Sequence, residues 1–201
     1  MKKIILTILL VSFEATSHGP FREGVKVINN KDELKTIKDI NLETINKKKA
    51  SFKSILGNKK GLVVLTSDIN CPVSQKLRPF VKKVYNDYKD HFAFVFINYN
   101  KFEEVKAIRK HIKEEGFDFS YIHDTEQEIF KLLKPNTTTE SFVLTPSLKV
   151  IYRGSISDQF GIGFEKKNQK SITSYLTVAL DNHLKGQPIV NFHTSAPGCY
   201  L

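Results

Sequence analysis

A chain of 201 residues, 40% hydrophobic and 26% charged, is long enough to bury one core and too apolar for general disorder. Its 31 basic residues outweigh 21 acidic ones for a formal charge of +10, but the lysines fall in scattered pairs such as Lys59-Lys60, Lys82-Lys83 and Lys166-Lys167. No stripe of interleaved aromatics accompanies them, which argues against nucleic acid as a partner and assigns the charge to solvated faces.

The chain opens with Met1-Lys2-Lys3, an apolar run over residues 4–13, and the small residues Ala15 and Ser17 in signal-peptidase spacing. Residues 1–17 are therefore predicted to be a cleaved secretory signal. The run is too short to span a bilayer comfortably, and no later stretch is longer, so stable membrane insertion is expected only if the signal stays uncut. Cleavage takes away two lysines and one glutamate, leaving +9 of the +10. In an oxidising compartment an even pair of cysteines points to a disulfide before a metal.

Residues 18–39 lack a strong period and read as an irregular arm. Alternation in residues 41–45 and 50–52 around a lysine-rich turn predicts a hairpin, and residues 54–57 a short helical turn. Gly61-Leu62-Val63-Val64-Leu65 begins a buried strand over 61–66. Val73, Leu77, Phe80, Val84 and Tyr88 then recur at helical spacing over 72–88, with Pro72 suited to the first turn and Pro79 expected to kink the interior. Residues 92–97 are a near-continuous apolar run, as in a strand covered on both faces. A helix over 102–115, a strand over 119–122 and a helix capped by Asp124 and ended by Pro135 follow. Residues 141–144 and 150–152 form a second hairpin. A last helix over 171–184 stops at Gly186. This order predicts an α/β fold in one domain, residues 40–201: a mixed sheet flanked by helices, with the first hairpin as an N-terminal extension.

The chemistry sits at Cys71, where the first central strand meets its helix. Unpaired N–H groups and the positive end of the helix dipole stabilise a thiolate there, and the thiolate is the nucleophile. The other cysteine is Cys199. Cys71-Pro72-Val73-Ser74 after a strand, Pro79 eight residues on, Ser141-Phe142-Val143-Leu144 before a hairpin, and the stretch from Tyr152 to Asp158 with a later Gly198-Cys199 carry a resemblance. Over residues 40–201 the chain resembles thioredoxin-fold redoxins, in particular exported bacterial proteins of the redoxin and thiol-specific-antioxidant type.

The resemblance implies a thioredoxin-like fold, the bacterial periplasm as location, and a thiol–disulfide oxidoreductase in which Cys71 is the nucleophile and Cys199 lies near it as the resolving cysteine. It implies thiol or disulfide substrates, protein or small, an external thiol reductant or oxidant, and no cofactor. Ser74 stands where thioredoxins carry their second cysteine, and a serine cannot resolve a mixed disulfide. Thr139, within Thr137-Thr138-Thr139, stands where relatives carry a cis-proline that helps seat a substrate peptide; a trans or reorganised loop is expected, since a non-proline cis bond costs about 2.5–4 kcal/mol. Pro72, Ser74, Thr138 and Thr139 are thus the supporting residues. Peroxiredoxins need Thr or Ser three residues before their cysteine, where this chain has Asp68; a thiol peroxidase is the rival enzyme.

The plainer readings stand beside these. A Cys71–Cys199 bond would close a loop of about 130 residues and stabilise the fold by roughly 4–5 kcal/mol as a mere staple in a non-catalytic binding module. Asp68 beside Asn70 reads as a turn-former before a proton carrier. His91, His111, His123, His183 and His193 are dispersed, so no metal is expected, and Arg153 reads as solvated or salt-bridged.

Overall fold

The computed structural model describes residues 25–159 and 172–201; the signal segment 1–17, the start of the arm and the onset of the predicted last helix at 171 lie outside them. The short hairpin of β1 (Leu42–Glu43) and β2 (Lys49–Ala50) comes first. Its second strand ends earlier than the alternation predicts, because Ser51 turns away to cap α1 (Phe52–Leu56). The Ser51 hydroxyl accepts from the Ser54 N–H while the Ser54 hydroxyl accepts from the Ser51 N–H, a reciprocal cap.

Then come β3 (Gly61–Ser67), α2 (Pro72–Tyr88), β4 (Phe92–Asn98), α3 (Val105–Glu115), β5 (Ser120–His123), α4 (Glu128–Leu133), β6 (Glu140–Leu144), β7 (Val150–Ser155) and α5 (Tyr175–Leu184). Five strands form one sheet in the order β5-β4-β3-β6-β7. β3, β4 and β5 run parallel, whereas β6 and β7 pair antiparallel. α2 runs unbroken through Pro79. α3 starts at Val105 rather than at residue 102. Asn98 and Asn100 side chains accept from the N–H groups of Asn100 and Phe102, so the backbone turns instead of coiling. α4 likewise starts late, after Gln127 in the left-handed region, yet the Asp124 carboxylate still accepts from the Glu128 and Phe130 N–H groups.

Alternate residues of each strand feed two cores. Val63, Leu65, Phe94, Phe96, Tyr121, Val143 and Tyr152 pack with α2, α3 and α5 on one face. Leu62, Val64, Val95, Ile97, Phe142 and Leu144 pack with α1, α4 and the arm on the other. From residue 25 on, the N-terminal segment is packed: Val25 and Ile37 are buried, and it bridges Thr194 through Val27 and Lys149 through Thr36. Among the described residues no helix is long and apolar enough to cross a membrane.

Candidate active site

Adjacent parallel strands release their loops at the same end of a sheet, and the carboxyl ends of β3 and β4 gather the polar side chains here. β3 ends in Thr66 and Ser67, and the next turn lifts the chain to Cys71, the N-cap residue of α2 with Pro72 in the first turn. Asp68 is the turn-former: its Oδ1 accepts from the N–H groups of Asn70 (2.8 Å) and Cys71 (3.0 Å).

Cys71 is only 2% exposed, its sulfur in a nest of donors. Thr138 Oγ1 donates to it over 3.1 Å, and the backbone N–H groups of Ser74 and Cys199 also point at it. The Cys199 thiol donates over 3.0 Å, so the two sulfurs are unbonded thiols in contact. Burial pushes the Cys71 thiol up, but these donors outweigh it and bring it from 9.0 down to about 7. Its partner moves the other way. The hydrogen bond to Cys71, burial and the negative charges of Cys71 and Asp68 push Cys199 up to about 11.

The other predicted residues converge here too. Ser74 Oγ donates to the Thr138 carbonyl (3.1 Å). Thr66 fixes the loop on either side of Thr138: its hydroxyl sits 2.9 Å from the carbonyls of both Thr137 and Glu140. Thr139 donates to the Pro197 carbonyl. No peptide bond among the described residues is cis, so this loop is reorganised around three threonines.

What the sequence did not announce is how the segment carrying Cys199 is held. It runs beside β7, with the Arg153 N–H on the Phe192 carbonyl and the Thr194 N–H on the Arg153 carbonyl. It then crosses the threonine loop, where Cys199 N donates to Thr138 Oγ1 (3.2 Å), Thr138 N to the Cys199 carbonyl (3.0 Å) and Leu201 N to the Asn136 carbonyl (3.2 Å).

Two acids were also missed. Glu103 Oε1 accepts from Ile69 N (2.9 Å) and from the Asn70 side chain (3.1 Å), while Oε2 accepts from Asn98. Burial, and then hydrogen bonding to Asp68, push Glu103 up from 4.5 to about 7. Its only signal in the sequence is an acid just beyond the end of a buried strand. Glu140 forms a buried ion pair with Arg153 (2.6 Å) and accepts from Asn136 N (2.7 Å), anchoring the loop below Cys71. Among the described residues no cluster of three or more His, Cys, Asp or Glu could hold a metal.

The Redoxin family model matches residues 31–176. A hypothetical protein from Sinorhizobium meliloti is 24% identical, with 89% of this chain and 97% of that one covered and a TM-score of 0.71. An uncharacterized conserved protein from Geobacillus kaustophilus is 21% identical over 89% and 96%, with a TM-score of 0.72. A thiol-disulfide oxidoreductase from Bacteroides fragilis is 17% identical over 76% and 98%, with a TM-score of 0.54. The fold is thioredoxin-like. No curated protein matches.

Proposed function

Because this chain belongs to the redoxin family, we propose that it works as an exported thiol–disulfide oxidoreductase with Cys71 as nucleophile and Cys199 as resolving cysteine. The observation that supports this best is a Cys71 sulfur lowered to about 7 by surrounding donors, with a second sulfur 3.0 Å away. About half of Cys71 is then thiolate at neutral pH, against a few per cent for an ordinary cysteine.

The Cys71 thiolate attacks one sulfur of a disulfide R–S–S–R′, and R′S⁻ departs. Cys199 gives up its proton and attacks the Cys71 sulfur, RS⁻ departs, and the Cys71–Cys199 bond is left. The substrate has gained two electrons and the cysteine pair has lost them. Thr138 and the Ser74 N–H hold the thiolate, Pro72 starts the helix, and Thr139 grips the segment bearing Cys199. The exchange needs no cofactor. An external thiol restores the dithiol.

Turnover of hydroxyethyl disulfide, followed in wild type and two variants, tests this. Cys71→Ser abolishes turnover, and Cys199→Ser accumulates a mixed disulfide on Cys71. Turnover that survives Cys71→Ser rules the mechanism out. For export, the mature protein recovered from a bacterial periplasm should start after residue 17.

A further inference from the structure

We infer that the external thiol which restores the dithiol attacks Cys199 and not Cys71, the segment 195–201 acting as a strap over Cys71. In the dithiol only non-covalent contacts hold the strap, and it lifts to admit the disulfide substrate; once the Cys71–Cys199 bond forms, that bond tethers the strap over Cys71 and leaves Cys199 as the sulfur facing solvent. The inference rests on the oxidoreductase mechanism above and adds which sulfur meets the reductant.

Access is the first argument. Cys71 is 2% exposed beneath the strap, while Cys199 is an exposed residue. The strap is held by backbone as much as by side chain: Ser195 N on the Lys26 carbonyl, Cys199 N on Thr138 Oγ1, Thr138 N on the Cys199 carbonyl and Leu201 N on the Asn136 carbonyl. Fit is the second. A side-chain carbon added at Gly198 would lie 3.1 Å from atoms of Thr137, Thr138 and Thr139 alike. A side chain at residue 198 would therefore crowd all three threonines at once, and the strap or the loop would have to give by a few tenths of an ångström.

The chemistry of departure agrees with access. An exchange runs faster when the expelled sulfur is the better thiolate. Attack on Cys199 expels Cys71 into a nest whose donors, the Thr138 hydroxyl and the Ser74 N–H, remain in place without the Cys199 thiol, whereas attack on Cys71 would expel Cys199 at the exposed edge of that nest. Written in full, RS⁻ adds to the Cys199 sulfur, the Cys71–Cys199 bond breaks, and Cys71 leaves as thiolate. A second thiolate then attacks the R sulfur, releasing RSSR and a Cys199 thiolate that takes a proton from water. Two thiols are oxidised and one disulfide is reduced.

The test uses the full chain, oxidised with diamide and treated with excess reduced glutathione. The reaction is quenched early with acid, and the adduct is located by peptide mass spectrometry. The expected adduct lies on Cys199, at least about tenfold over Cys71. An adduct mainly on Cys71 overturns the inference and leaves the oxidoreductase mechanism standing. If diamide produces no Cys71–Cys199 bond, the mechanism itself fails and the inference with it. Gly198→Val, which crowds the threonine loop and is expected to loosen the strap, is expected to bring the two adducts to within about threefold of each other; an unchanged preference would show that the strap does not control access.

Discussion

At Cys71 the Cys199 thiol is the largest influence lowering the sulfur and the Thr138 hydroxyl the next; Thr138 donates to the sulfur at 3.1 Å and accepts from the Cys199 N–H. A hydrogen bond to a charged group is worth about 1.5–3 kcal/mol, so Thr138→Val should raise the Cys71 pKa by about one unit or somewhat more. The pH profile of iodoacetamide alkylation measures it. The same depression predicts how stability follows pH. Between about 7 and 9.0 the unfolded chain keeps the Cys71 proton and the folded one has lost it, so the reduced protein gains stability as pH rises across that window and loses the gain as pH falls through 7. Urea unfolding under reductant should show this rise in wild type and not in Cys71→Ser. Glu103 has the opposite sign. Its pKa is raised from 4.5 to about 7, so the folded form holds a proton that the unfolded form has released, and stability declines with rising pH between those values. Glu103→Gln keeps a neutral partner for Asp68, and its stability relative to wild type should therefore increase from pH 4.5 to 7.

Among the elements, the ends of β6 and β7 carry the most consequence, because they set the threonine loop and the strap together. Arg153 and Glu140 are both buried and paired at 2.6 Å. Removing one partner leaves an uncompensated buried charge, so Glu140→Gln should cost about 3–5 kcal/mol in denaturant unfolding, more than the loss of an exposed pair would. Gly154 lies next to it with φ of +136°, and a Cβ there would run into the backbone and hydroxyl of Thr194. That glycine is what lets the returning segment lie against β7. These features were not legible in the sequence. The positions of α2 and β4 were, because an amphipathic stripe from Val73 to Tyr88 and the run Phe92 to Ile97 each carry their own period. Pairing between Thr138 and Cys199 joins residues 61 positions apart, and no local pattern encodes it. The late start of α3 was hidden for a related reason, since asparagine side chains captured backbone N–H groups that helical spacing alone assigns to the helix, and that of α4 because Gln127 takes up a left-handed conformation.

For the molecule as a whole, parallel β3 and β4 release the loops of Cys71 and Glu103 at one end of the sheet, antiparallel β6 begins at that same end with the threonine loop, and two cores pack on the faces of that sheet. Cys71 at a strand–helix junction and the order of elements were enough to read a redoxin from the sequence. Glu103 was not legible, since only the packing of neighbouring loops carries an acid 33 residues downstream to the Asn70 side chain, 3.1 Å away. The central claim is that Cys71 and Cys199 form a working redox couple, and its most direct test is their reduction potential, measured against glutathione with the bond followed by mass spectrometry. A thiolate stabilised in the reduced form makes its disulfide more oxidising, so the account predicts a value above about −300 mV. A value below about −300 mV, where structural disulfides lie, would contradict it.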